Sequence, residues 1–367
     1  MKRYLSAITA IAAAFAMISC EDPTPAPAPG TMTISVDKTQ IESDGVDIAT
    51  FTIKDANGNV LTTEANKGSV YFKNVKTEKR LPRYSTGFTS IVDGEFEFVG
   101  IYNGEETSNS VKIQSVNREK YEVFHRNVAI FKLTGTWCTN CPRMTTALHS
   151  LDEDAADHSI VLACHSESQG HPFYVQYGTT DLASAVFLAM GETSAAYPTN
   201  CYDMTSLNTS SSTIAISDEI MTRRIDAPAA AGIAVSSVAL EGTSLKVKAK
   251  VKASVAGTYD VVCAIKADDL FYEGGYCDNE DNLYSDVVLA ISGDNFFSYR
   301  TNSSFDLAKD QEFQREFTFE FGEAPSQSLL DKVSAVILLH KKNADGSSEV
   351  NNCAECAYGK TLDYRYN

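Results

Sequence analysis

The chain has 367 residues, 43% of them apolar, 22% charged and 10% aromatic. That globular composition excludes wholesale disorder, collagen-like repeats and a continuous coiled coil, and at roughly 100–200 residues per domain the length predicts two or three domains. The formal charge is −17, from 31 basic and 48 acidic side chains, which argues against a phosphate-neutralising surface and so against DNA or RNA as partners.

Lys2 and Arg3 precede an apolar run of 14 residues over 5–18. This is short of the ~18–20 residues that cross a bilayer, so residues 1–19 read as a secretory signal rather than an anchor helix. A small residue placed directly before Cys20 resembles the lipobox of bacterial lipoproteins. By that resemblance cleavage leaves Cys20 first and acylated, and two or more acyl chains hold a protein stably on a membrane. The alternative is ordinary signal cleavage with a free Cys20. Four of the ten prolines then fall within 21–30, E-D-P-T-P-A-P-A-P-G, a semi-rigid polyproline spacer.

Residues 31–116 carry a strand pattern. Ala49, Phe51 and Ile53 alternate with polar neighbours, Asn57-Gly58 supplies a hairpin turn, and Phe96 and Phe98 alternate with Glu95 and Glu97. Short strands of that kind predict a small β-sandwich. The run G-E-F-E-F-V-G-I-Y-N-G-E-E-T resembles the closing strands of bacterial immunoglobulin-like domains, which are spacers or adhesive modules.

Between 117 and 228 strands and helices alternate. A strand is expected over 128–133, a helix from Cys141-Pro142 with Met144, Ala147, Leu148 and Leu151 on one face, and a strand over 159–165. A second helix carries Leu182, Ala185, Val186 and Ala189, a strand follows near 200–203, and a third helix is expected around Ile216 and Ile220. The chemistry sits in Trp137-Cys138-Thr139-Asn140-Cys141-Pro142. A C-x-x-C that follows a strand and opens a helix has the context of a redox motif. Free N–H groups and the aligned peptide dipole at the helix start stabilise a thiolate, and Pro142 loses nothing in the first turn. Cys138 is then the attacking nucleophile and Cys141 the resolving thiol.

W-C-x-x-C-P after a strand resembles the thioredoxin fold. That resemblance implies a cis-proline facing the redox pair, at Tyr197-Pro198-Thr199, and a substrate segment lying along Trp137, Tyr197 and Pro198 beside Cys138. Together the lipoprotein signal, L-T-G-T-W-C-T-N-C-P, A-A-Y-P-T and a trailing sandwich resemble the twenty-eight-kilodalton outer membrane protein family of bacterial lipoproteins. The likeness covers about 117 to the C-terminus. One position departs from the thioredoxin pattern. Six residues before the first cysteine that pattern has an acid, and here stands Lys132. A buried ammonium there favours a thiolate electrostatically but is no base near neutral pH; the other readings are a solvent-facing lysine or a carboxylate pair.

Residues 229–367 return to strands. Leu245, Val247, Ala249 and Val251 alternate with four lysines, and Phe317, Phe319 and Phe321 alternate likewise. The lysine row reads as a solvated sheet face rather than an anion site. Asp345-Gly346 reads as the hairpin turn between strands at 335–340 and near Val350, and the whole predicts a second sandwich of roughly seven strands. Cys353-Ala354-Glu355-Cys356 opens no helix, so a structural disulfide or buried thiols are expected there rather than a second redox site. Cys164 and Cys201 read as small buried hydrophobes. The pairing of Cys164, Cys201, Cys263, Cys277, Cys353 and Cys356 is open. The acidic loop 277–282 lacks the EF-hand glycine and closing glutamate and reads as a solvated turn. His165, Glu167 and His171 do not have helical ligand spacing and read as ordinary polar side chains.

The expected protein is therefore multidomain α/β plus all-β: a signal (1–19), an acylated Cys20 with its linker (20–30), an immunoglobulin-like sandwich (31–116), a thioredoxin-like domain (117–228) and a C-terminal sandwich (229–367). Its expected activity is thiol–disulfide exchange on extracytoplasmic proteins, from the outer membrane of a bacterium. It implies no metal or organic cofactor, and a redox partner that resets the pair. The rival expectation is a cell-surface binding or adhesive lipoprotein with a static Cys138–Cys141 bridge.

Overall fold

The computed structural model describes residues 31–43, 47–78, 80–81, 85–90, 93–116, 123–276, 282–293, 296, 303–343 and 348–366. Cys20, the linker, Cys277 and the turn at Asp345-Gly346 lie outside the described residues.

The sequence from Val128 builds one large mixed sheet. Its first strand, β1 (Val128–Thr134), reads V-A-I-F-K-L-T and is buried throughout, as a strand covered on both faces requires. It is followed by α1 (Cys141–His149), α2 (Glu153–Asp157), β2 (Ser159–His165), α3 (Leu182–Ala189), β3 (Thr199–Tyr202), β4 (Ser206–Asn208) and α4 (Thr213–Asp226). Three of these helices open on a side-chain cap: Asp152, Asp181 and Ser212 each accept a bond from the backbone N–H three residues on, which satisfies one of the orphan donors of a first turn.

The remaining long strands are β5 (Ala231–Glu241), β6 (Ser244–Ala253), β7 (Gly257–Ala267), β8 (Val287–Ile291), β9 (Phe305–Leu307), β10 (Glu312–Glu320), β11 (Val333–Lys342) and β12 (Ser348–Ala357). The large sheet has the order β4-β3-β1-β2-β8-β7-β11-β12, with β9 also on β7. β1 and β2 run parallel, β3 lies antiparallel to β1, and β8 joins β2 in parallel at Ala163↔Val287. The sheet thus crosses the expected boundary at 228 without a break. β5-β6-β10 forms a separate sheet, and the two layers share a core that includes Tyr259, Val261, Ile265, Val247, Val251, Phe317, Ile337 and Leu339. The sandwich expected of 229–367 shares one of its two layers with the α/β part.

On one face of the α/β end, α3 covers Phe131, Leu133, Leu162 and Cys164 in a core that also holds Val262, Val288, Leu338 and Cys353. On the other, α1, α2 and α4 cover Val128, Ile130 and Tyr202. The described residues of 31–116 make two small sheets. One joins Thr33–Val36, Ala49–Lys54 and Gly87–Phe88; the other joins Gln40–Glu42, Val111–Val116, Gly94–Tyr102 and Val70–Asn74. They share a core with Phe51, Ile53, Phe72, Phe98 and Ile113 at its centre. The lysines of β6 stay on the outer face of their sheet; Lys246 meets Glu241 at 2.7 Å and Glu316 at 3.8 Å. Among the described residues no helix is long and apolar enough to cross a membrane.

Candidate functional site: the Cys138–Cys141 disulfide

β1 delivers the chain to the motif, and α1 leaves it. Cys138 and Cys141 are joined in a disulfide. The loop before it is tight: the Cys138 N–H bonds the Gly135 carbonyl at 3.0 Å, and the Cys141 N–H bonds the Cys138 carbonyl at 3.3 Å. A Cβ at Gly135 would stand 2.6 Å from the Trp137 indole nitrogen, so only glycine lets the ring fold back there. Trp137 then donates from Nε1 to the Ser166 carbonyl at 2.8 Å while remaining 53% exposed. It meets Tyr197 edge-on at 5.2 Å, and the Tyr197–Pro198 peptide is cis. Burial raises the Tyr197 hydroxyl above its ordinary value. The predicted residues Trp137, Cys138, Cys141, Tyr197 and Pro198 thus meet at one end of β1 and β3. The sulfurs themselves are well covered: Cys138 is 5% exposed and Cys141 less.

Lys132 does not face solvent. It is 2% exposed and donates from Nζ to Thr145 Oγ1 at 2.6 Å, while the Thr145 hydroxyl donates to the Cys141 carbonyl at 3.4 Å. Beyond it lies Asp286, whose carboxyl reaches Lys266 at 2.7 Å; Lys266 also reaches Glu355 at 2.8 Å. Burial alone would raise the Asp286 carboxyl, but His149, Lys266 and Lys132 together hold it down at about 2.

His165, Glu167 and His171, read from sequence as ordinary polar side chains, converge under the loop before the motif. Glu167 accepts the Thr136 N–H and lies 3.5 Å from His165 Nδ1 and 3.9 Å from His171 Nε2. Burial pushes its carboxyl up, yet the His165 and Thr136 contacts prevail and leave it below its usual value. The sequence also gave no sign of the neighbour on the far side. A short hairpin of Leu270–Phe271 and Leu283–Tyr284 sets Gly275 against Thr136, and the Tyr276 N–H bonds the Thr136 carbonyl at 2.7 Å. A Cβ at Gly275 would meet the Tyr284 hydroxyl at 2.5 Å and Thr136 at 3.0 Å.

The second C-x-x-C lies on β12, where three residues of extended chain carry the two sulfurs to opposite sheet faces, roughly 10 Å apart. Cys356 belongs to the sandwich core and Cys353 to the core under α3. Both are free and buried, as are Cys164, Cys201 and Cys263, and burial raises all five thiols, Cys201 to about 12. Of the alternatives open at Cys353 and Cys356, the buried thiols are what the fold contains.

One cluster away from the disulfide brings metal-type side chains together: His125, Asp157 and His158, with ligand atoms within 4.8 Å. The two imidazoles stack at 4.0 Å and 17°, so their in-plane lone pairs lie in nearly parallel planes and do not converge on one point. Arg365 already holds the Asp157 carboxylate at 2.9 and 3.0 Å. The group is a poor chelate, and none of it was singled out from the sequence.

No family model matches the chain, and no curated protein does. Among solved structures it resembles HBP35 of Porphyromonas gingivalis, with TM-score 0.50 and 17% identity over 65% of this chain and 77% of that one. A protein from Agrobacterium tumefaciens matches with TM-score 0.43 and 16% identity over 65% of this chain and 96% of that one. At such identities the first likeness concerns the fold alone.

Proposed function

We propose that the chain is a thiol–disulfide exchange protein whose working pair is Cys138 and Cys141, carried by a thioredoxin-like unit. The observation that carries this reading is the placement of the pair: a disulfide at the opening of α1, beside an exposed Trp137 that stacks edge-on against Tyr197. The strand order β8-β2-β1-β3-β4 supports the fold assignment, with α1 directly after β1, although β8 comes from beyond residue 228. Helix-start amides favour charge on the first sulfur once the bond opens. Cys138 is then the nucleophile, and Trp137, Tyr197 and Pro198 line the approach of a substrate segment. The substrates are extracytoplasmic proteins with thiols or disulfides, and a separate redox partner resets the pair. The test is reduction of a model protein disulfide by the full-length protein. Cys138→Ser should abolish it, and a wild type that exchanges no thiols removes the proposal.

A second reading, a surface-binding protein with a static bridge, draws on the low exposure of both sulfurs. A reduction potential below about −300 mV marks a structural bridge, so that one value separates the two. We also propose that Cys20 is acylated and holds the protein at the bacterial outer membrane. Cells fed labelled palmitate should label the wild type and not Cys20→Ser; equal labelling of both defeats the anchor.

A further inference from the structure

The carboxylate that a redox motif of this kind is expected to keep beneath its resolving cysteine is replaced by an ammonium, and the fold has built around that exchange. Lys132 stands on β1 under the first turn of α1, one hydroxyl away from the Cys141 carbonyl through Thr145. From Lys132 the charges alternate: half-buried Asp286, then buried Lys266, then half-buried Glu355. His149 also borders this row, at 3.8 Å from Asp286. The acids and Lys266 come from β7, β12 and the residue before β8, all beyond residue 228. Two ammoniums and two carboxylates balance when the pair is oxidised. A thiolate on Cys141 would extend the alternation by one negative charge at the Lys132 end.

We propose that Lys132 is a positioning residue that stabilises the Cys141 thiolate and thereby biases the pair toward accepting electrons, with Asp286 setting the strength of that bias. This rests on the exchange reading above and adds a direction to it. In the favoured direction a substrate thiolate attacks Cys138 Sγ. A new S–S bond forms to Cys138 as the Cys138–Cys141 bond breaks, and the electron pair of the broken bond leaves on Cys141. A second substrate thiolate attacks the substrate sulfur of the mixed disulfide, closing the substrate disulfide and releasing Cys138 as a thiolate. Two substrate thiols are oxidised and the protein pair is reduced; of the two protons given up by the substrate, one ends on Cys138 and the other passes to solvent, leaving Cys141 as the thiolate beside Lys132. Because Cys141 is the leaving group in the first step, a nearby cation lowers its cost. A carboxylate in the place of Lys132 would raise it.

The test is the equilibrium constant between the full-length protein and a glutathione buffer, read by alkylation and mass spectrometry. Lys132→Met is expected to shift the constant at least tenfold toward the disulfide, about 30 mV more negative. Lys132→Arg, which keeps the charge, should stay within threefold of wild type. Asp286→Asn should shift it the other way, toward the dithiol, because it removes the negative charge that compensates Lys132. Opposite signs from the two substitutions are not what general loosening of the fold produces. A Lys132→Met constant within threefold of wild type, or shifted toward the dithiol, overturns the inference. Should Lys132→Met not fold, Asp286→Asn decides it, and a constant unmoved or moved toward the disulfide overturns it. A wild type that never exchanges with glutathione sinks the exchange reading instead.

Discussion

Two buried ionisable groups outside the disulfide site give predictions that depend on single atoms. His340 lies wholly within the fold, with Nε2 3.1 Å from the Phe296 carbonyl, and Nδ1 has no hydrogen-bond partner among the described residues. Desolvation lowers its pKa from 6.5 to about 4, against smaller raising contributions from Phe296 and Asp260. The Asp260 carboxylate is itself held by Arg315 at 3.0 Å and Ser303 at 2.6 Å. A basic group with a lowered folded pKa takes its proton more readily in the unfolded chain. Stability is therefore complete above pH 6.5 and falls as the pH drops toward 4, by about 3 kcal/mol from this group. His340→Gln keeps a donor for Phe296 and removes the titration, so its melting temperature should fall less between pH 7 and 4. A shallower slope is expected rather than a flat one, because burial also lowers His158. The second group is Asp203. Its two carboxylate oxygens take Arg126 Nη2 at 2.7 Å and the Ala129 N–H at 2.9 Å, with both side chains almost fully buried. Asp203→Ala leaves the guanidinium uncompensated and should cost about 3–5 kcal/mol, seen as a lower urea midpoint. A loss under about 1 kcal/mol would show that the arginine finds another partner.

At the scale of elements, the hairpin of Leu270–Phe271 and Leu283–Tyr284 acts as a cover for the loop that leads into the disulfide. Gly275→Ala places a methyl against the Thr136 backbone oxygen, 3.0 Å away, and the Tyr284 hydroxyl. Overpacking of this kind typically costs about 1–3 kcal/mol, and moving the hairpin outward is the natural relief. The Tyr276–Thr136 backbone bond then breaks, and a soluble phosphine should reduce Cys138–Cys141 faster than in wild type. An unchanged reduction rate would mean that the hairpin does not limit access. This cover was not legible in the sequence, because it depends on contacts between residues about 140 positions apart and no local pattern records them. The motif was legible for the opposite reason: a strand, a cysteine, a helix start and Pro142 are all set by neighbours within a few residues. The histidines and Glu167 fell between these cases. Each residue was visible, but their convergence on the Thr136 N–H depends on how β2 ends beside β1. Likewise a strand near Val350 was visible, but not that it runs on through Cys353 and Cys356 and sends them to opposite faces, so a disulfide between them stayed open.

For the whole molecule, the cores show which stretches of chain depend on one another. The core of the first sandwich uses buried residues between Met32 and Ile113. The core under α3 combines Phe131, Leu162 and Val186 with Val262, Leu338 and Cys353, so residues on both sides of 228 fill one volume. Asn352 tightens the same seam: its side chain accepts the Asn127 N–H at 3.0 Å and donates to the His125 and Ala231 carbonyls at 3.1 Å. The sequence pattern changed character near 228 because helices give way to strands there, yet a change of local period says nothing about which sheet a strand joins. A protein of residues 123–366 should consequently fold, keep the Cys138–Cys141 disulfide and protect the β1 amides from hydrogen exchange as the full chain does. A protein of residues 123–228 loses β8, leaving the β2 edge unpaired and the apolar face under α3 half covered. Exposed edges and apolar faces of that kind favour association, so it should be recovered mostly as aggregate, with little protection at 128–134. Soluble, monomeric and protected 123–228 would show that the shared sheet is a contact between two self-sufficient units rather than the condition for forming either.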